Sequence, residues 1–144
     1  MKNQVISRPQ GSDIVDVVAG QEGPKSDISI WREHREKFAE EQQFIGDKAY
    51  LGEQQIKTPM KKPKGGELSE QQIRENQELS RARIGVEHLI RRLKIFRVVS
   101  EKFRLSRECY EEIILTVCGL VRINLGSSPI VGSGRYKLVG SGPI

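Results

Sequence analysis

Ser69, with Gln72 three residues later, reads as a capping box. This predicts a long helix over about 70–95. The stretch before it, Pro59 through Gly66 (PMKKPKGG), is broken by two prolines and two glycines and reads as a basic loop. Everything else in the chain must be arranged around that helix.

Upstream, Gln4-Val5-Ile6-Ser7 and Asp13 to Val18 read as two strands around the turn residues Pro9-Gln10-Gly11-Ser12. Gly20, Gly23 and Pro24 end the second strand. Ser26 is then an N-cap for a helix reaching about Glu41, with Ile28, Trp31, His34 or Arg35, and Phe38 at helical spacing. Gln43 to Gly46 predicts a short strand ending at Asp47, and Gln55-Ile56-Lys57 another. A strand or turn is expected around Val98-Val99, and an apolar helix over about 108–124. The expected core includes Trp31, Phe38, Ile113, Leu115, Val117 and Leu120. The stretch from Gly126 to Ile144 is rich in Gly and Ser and is expected to be a flexible tail after a folded region over 1–125. The order is strand, strand, helix, strand, strand, helix, helix: an α/β mixture. Asp47 falls at the C-terminal end of a strand, the edge where open α/β sheets place chemistry.

Charge is unevenly distributed. Residues 1–56 carry a net −3, residues 57–107 a net +8 and residues 108–144 none, within an overall +5. A basic block beside a neutral remainder favours a polyanionic partner, usually nucleic acid; the plainer reading is a solvated, Arg-rich helical surface. The longest apolar run, Ile113 to Val121, is interrupted by Thr116 and Gly119 and is too short to span a bilayer. Met1-Lys2-Asn3-Gln4 has no apolar signal core behind it, so no export and no membrane are expected, and the cytoplasm (with the nucleoid) is the expected location. Cys109 and Cys118 lie too far apart along one helix to bridge within it, which predicts reduced thiols.

Within the long helix, Arg83, Glu87 and Lys94 fall close to one stripe, with Ile90 and Arg91 beside them. A carboxylate flanked by cations in this way can ligate a hard metal while its neighbours grip phosphates. Taken alone, the same pattern is an ordinary surface ion pair worth about 0–1 kcal/mol. His34 and His88 stand without Cys or acidic partners at zinc spacing, and no glycine loop of the nucleotide-binding type is present.

Set in order, these motifs resemble a family. Asp47 stands in Gly46-Asp47-Lys48-Ala49-Tyr50 after a short apolar strand, and Arg83, Glu87 and Lys94 fit R-x3-E-x6-K forty residues on. The chain is similar to the DDE transposases of bacterial insertion sequences, close to those with Harbinger-like DDE domains. Ala49 stands where the family usually has Gly, and Ser80 where its helix pattern has Tyr. The resemblance runs from about Lys2 to Leu125 and includes PKSDISIWRE, TPMKKPKGGELSEQQ and RIGVEHLIRRLKIFRVVSEKFR.

The resemblance implies a ribonuclease H-like fold, a mixed sheet flanked by helices, and metal-dependent DNA cleavage and strand transfer. Asp47 and Glu87 would be two of three carboxylates on Mg²⁺ or Mn²⁺. Arg83 and Lys94 would orient Glu87 and contact DNA, and Arg91, Arg92, Arg97, Lys61, Lys62 and Lys64, with Arg81, Lys102 and Arg104, would follow the phosphates. The family's first Asp lies on a strand before the opening hairpin, and residue 1 already falls at the start of the second strand. Asp13, Asp16 and Asp27 are not assigned to that role. The expectation is a partial fold lacking its first strand and inactive alone. Its partners would be DNA, another copy, or an upstream transposase fragment; the rival reading is a non-catalytic basic DNA-binding remnant that binds or inhibits full-length enzyme.

Overall fold

Strand β1 (Lys2–Ser7) and strand β2 (Ile14–Gln21) pair antiparallel around a 3-10 turn at Pro9–Gly11, in the register Val5↔Val17 and Ser7↔Ile14. The computed structural model describes residues 1–21, 23–101, 103, 104, 106, 108–126 and 137–139, the last three by backbone alone. From Asn3 to Ser7 every residue of β1 is buried, because both of its faces are covered. Strand side chains alternate between faces, so the hairpin divides two cores. Val5 joins Leu89, Leu93, Tyr110, Ile114, Val117 and Val121, whereas Ile6 joins Trp31, Phe44, Tyr50 and Ile56.

Helix α1 (Asp27–His34) begins at Ser26, whose Oγ accepts the Ser29 amide at 3.3 Å, and it buries Ile30 and Trp31. It is shorter than the sequence predicts. A 3-10 turn takes over at Arg35–Lys37, and Phe38 lies beyond it, where its ring stacks on Trp31 at 5.8 Å between centroids. Strands β3 (Phe44–Ile45) and β4 (Ile56–Lys57) form a two-residue parallel pair. The capping box holds as expected: helix α2 (Glu70–Lys94) starts where Ser69 Oγ accepts the Gln72 amide at 3.2 Å and Gln72 Oε1 accepts the Ser69 amide at 2.9 Å.

Val98 and Val99, read as a strand or turn, lie in a single helical turn, α3 (Arg97–Ser100), which puts Val99 into the core beside Leu93. Helix α4 (Glu108–Asn124) packs on β2 and α2 through Tyr110, Ile114, Val117, Cys118 and Val121. Leu115 and Leu120, expected in the core, are 45% and 48% exposed because they fall on the opposite side of that helix. Strand β5 (Lys137–Val139) pairs antiparallel with the edge of β1 away from β2, in the register Val5↔Val139 and Ser7↔Lys137. Three residues of the stretch expected to be a flexible tail are therefore ladder-bonded. Most of that stretch, 127–136 and 140–144, lies outside the described residues.

Two polar ties lock the layers. Asp13 is buried and receives Arg122 Nε at 2.8 Å and Nη2 at 3.3 Å, joining the hairpin to the end of α4. Asn3 donates to the Tyr110 hydroxyl at 2.8 Å and accepts the Gly20 amide at 3.0 Å. Among the described residues no helix is long and apolar enough to cross a membrane.

Candidate functional site

Asp47 is placed by the end of β3. Phe44 N–H bonds to Gln55 O at 2.7 Å and Gly46 N–H to Lys57 O at 3.0 Å, after which the chain leaves the pair. Gly46 is required there: a Cβ would lie 2.7 Å from Ile56 Cγ2 and 2.9 Å from Tyr50 Cδ2. Half-buried Asp47 then caps a 3-10 turn over Lys48–Tyr50, and its Oδ1 accepts the Ala49 amide at 2.8 Å. Tyr50 is fully buried under the turn, and its hydroxyl accepts a hydrogen bond from Gln4 Nε2 at 2.9 Å. The carboxylate is thus oriented by its own turn, and the turn is fastened to β1. Ala49 has no positive φ, so this backbone does not need the Gly that the resemblance led us to expect.

Helix α2 carries the other carboxylate. Val86, Leu89 and Leu93 face the core, while Glu87, Arg91, Arg92 and Lys94 are exposed and Arg83 is half-buried. Arg83 Nη2 lies 4.0 Å from Glu87 Oε1, with both side chains open to solvent (42% and 56%). This is a weak contact in water, and it leaves Glu87 available. Gly85 determines how the helix sits. Its Cα faces the hairpin turn so closely that a Cβ would meet Gln10 C and O at 2.3 Å, and a Cβ on Gly11 would meet Gly85 O at 2.1 Å. Sequence reading did not single out this contact, although an isolated glycine inside a strong helix was its signal. Ser80, in the place of the expected Tyr, is exposed beside Ile73, Arg81 and Ile84 around a shallow apolar depression.

Helix α2 packs against β3, the strand that leads into Asp47. No hydrogen bond or ion pair joins Asp47 to Glu87, and among the described residues no three Asp, Glu, His or Cys side chains group as metal ligands. The carboxylates left unassigned on sequence are engaged elsewhere: Asp13 with Arg122, Asp16 with Lys37 at 3.3 Å, and Asp27 with Lys2 at 3.5 Å. Carboxylate oxygens suit a hard divalent cation, so the donor chemistry of Asp47 and Glu87 fits Mg²⁺ or Mn²⁺. Their number does not complete a site.

The basic residues divide into a loop set and a helix set. Lys61, Lys62 and Lys64 are exposed on the loop before α2, which is clipped to the helix at Met60: Asn76 Oδ1 accepts its amide at 2.9 Å and Asn76 Nδ2 donates to its carbonyl at 3.1 Å. Lys62 is 3.9 Å from Glu67, a fully solvated pair. Arg91, Arg92 and Lys94 make no ion pair among the described residues, whereas Arg97 bonds Glu101 at 2.7 Å. Arg81 and Arg104 are exposed, and Lys102 lies outside the described residues. Cys109 is exposed and Cys118 buried, both as free thiols; burial pushes the Cys118 thiol up to about 11.

Residues 1–122 match the family model described as DDE superfamily endonuclease. The probable transposase for insertion sequence element IS702 of Microchaete diplosiphon is 39% identical over 142 residues, which covers 96% of this chain and 46% of that protein. The chain therefore spans less than half the length of that relative. A 96% share leaves fewer residues unmatched than lie after Leu125, so the similarity continues into the Gly- and Ser-rich stretch, beyond the limit that the motifs indicated. No solved structure gives a significant match.

Proposed function

The chain belongs to the DDE superfamily endonucleases, and from that footing we propose that it is the C-terminal part of an insertion-sequence transposase with a ribonuclease H-like fold. Asp47 and Glu87 are two carboxylates of a site that cuts DNA and joins strands in the complete enzyme. The observation that carries this reading is the state of Asp47. It is held at the end of β3 with one oxygen engaged by the Ala49 amide and the other without a protein partner among the described residues. A carboxylate fixed in that way is oriented before any cation arrives, which removes a cost from ligation.

Mg²⁺ or Mn²⁺, when bound, would activate the attacking hydroxyl or water and stabilise the leaving oxygen of an in-line displacement. Asp47 supports that role with a fixed oxygen, and Glu87 with a solvent-facing one beside Arg83. Arg91, Arg92, Lys94, Arg97, Lys61, Lys62 and Lys64 hold DNA by its phosphates, which gives affinity without base readout. The third carboxylate is supplied by polypeptide outside the described residues.

The test mixes the full chain with a polypeptide covering the part of the IS702-type relative that this chain does not match. Mn²⁺-dependent nicking of supercoiled DNA is expected, lost with Glu87→Gln and with Asp47→Asn while circular dichroism stays unchanged. Nicking that survives Glu87→Gln overturns the assignment. A second reading has one observation in its favour, the lack of a three-ligand cluster among the described residues: a non-catalytic DNA-binding element that pairs with and inhibits complete transposase. It requires salt-sensitive duplex binding that Asp47→Asn leaves unchanged, and no nicking in any mixture.

A further inference from the structure

A polar cleft of about 1030 Å³ opens between the chain that leads into β3 and the chain that leads into β4. The first segment contributes Arg32, Arg35 and Phe38, the second Gly52, Glu53 and Gln55. Because β3 and β4 are parallel, the cleft lies at the N-terminal end of the pair, and Asp47 lies past the other end. Its two walls are fastened to each other: Gln55 Nε2 donates to the carbonyls of Ala39 and Glu40, both at 3.1 Å. The volume is that of a ligand pocket formed before its ligand arrives.

Glu53 is set beneath two arginines, with its side chain only 7% exposed. Arg32 Nε donates to Oε1 at 2.6 Å, and Arg35 Nη1 lies 3.9 Å from Oε2, so each guanidinium is oriented from its own oxygen. Both arginines are more than half exposed, and their other N–H groups have no protein partner among the described residues. A contact at 3.9 Å to an exposed cation adds little stability; what the arrangement supplies is a pair of held guanidiniums, whose planar forks match phosphate oxygens. Phe38 stands beside them, its amide donating to Arg35 O at 3.0 Å. Its ring is backed by Trp31 and held edge-on by Phe44 at 5.1 Å between centroids. A fixed aromatic ring next to guanidiniums is the combination that holds an unpaired nucleotide, with the base on the ring and the phosphate on the cations. The charges facing the cleft are Arg32 and Arg35 against Glu53 and the exposed Glu36 and Glu40. That balance disfavours a run of phosphates such as a duplex presents and leaves room for one. We infer that the cleft holds a single nucleotide of an unpaired DNA strand, its phosphate on Arg32 and Arg35 and its base against Phe38. The inference rests on DNA being the partner of this chain, as proposed above, and adds a site at the far end of the β3–β4 pair from Asp47.

Fluorescence anisotropy on the full chain, with a short labelled oligothymidylate and a labelled blunt hairpin duplex, tests this. Arg35→Ala and Phe38→Leu should each weaken binding of the single strand roughly tenfold and leave the hairpin within about twofold. Joint replacement of Lys61, Lys62 and Lys64 by Ala should weaken both DNAs. If the unmodified chain binds neither DNA, the partner is wrong and the inference falls with it. If it binds the hairpin but not the strand, or if Arg35→Ala and Phe38→Leu leave strand binding unchanged, this site alone is overturned. Thymidine 5′-monophosphate that displaces the strand at equal concentration would make the cleft a free-nucleotide site and overturn the strand. Should Phe38→Leu fail to fold, a strand carrying iodouracil and irradiated on the unmodified chain replaces it: cross-links within residues 32–40 or 52–55 support the site, and cross-links only elsewhere overturn it.

Discussion

Replacing Gly85 by Ala puts helix propensity and packing in direct opposition. By propensity alone, Ala in the middle of a 25-residue helix should stabilise by about 1 kcal/mol. By geometry, the new Cβ sits 2.3 Å from Gln10 C and O and 2.5 Å from its Cα. These are backbone atoms of a tight turn, so nothing can rotate aside. To regain an ordinary contact of 3.4 Å, helix and hairpin must part by about 1 Å, loosening Val86, Leu89 and Leu93 in a close-packed interior. Overpacking of this kind costs typically 1–3 kcal/mol, and an unyielding neighbour places it at the top of that range. The expected net loss is about 2 kcal/mol, or about 4–8 °C in Tm for a chain of this size. Gly119→Ala in α4 is the matched control, because a Cβ there meets nothing within 4 Å; it should raise stability by up to about 1 kcal/mol. Thermal and urea unfolding, followed by helical circular dichroism and Trp31 fluorescence, measure both. A Gly85→Ala chain as stable as its parent refutes the close approach as the reason for glycine.

Cutting the Asp13–Arg122 pair with Arg122→Ala removes two charge-assisted hydrogen bonds to a buried carboxylate and should cost about 1.5–3 kcal/mol in urea unfolding; the exposed Arg83→Ala change should cost under about 1 kcal/mol. Tyr50→Phe removes the hydroxyl that accepts from Gln4 and should cost about 1 kcal/mol, together with faster hydrogen exchange of the Ala49 amide that Asp47 caps. Burial raises the folded-state pKa of the Cys118 thiol from 9.0 to about 11, so its contribution is fully present below pH 9 and is lost as pH rises through about 11. The loss should approach about 2–3 kcal/mol, read as the difference in pH dependence between the parent and Cys118→Ala. A thiol reagent at neutral pH should modify Cys109 in the folded chain and reach Cys118 only on unfolding; two equally fast reactions would contradict the burial.

The elements with strong local chemistry were legible in the sequence. Ser69 and Gln72 specify where α2 begins because a capping box satisfies amides within four residues of each other. The short strand before Asp47 and the cap at Ser26 are equally local. Family membership was legible because the order and spacing of the motifs survive without knowledge of contacts. Other features depended on partners far along the chain. The turn at Val98-Val99 became helical because Val99 has a place in the core, and Leu115 and Leu120 fell outside because the contacts of α4 select one side of an apolar helix. Gly85 looks like a weak point in a helix until Gln10, seventy-five residues earlier, is placed against it. Local propensity acts over a few residues and can be read from order alone. Which faces meet and whether Asp47 shares a cluster with other carboxylates depend on distances through space, and those exist only once the chain has packed.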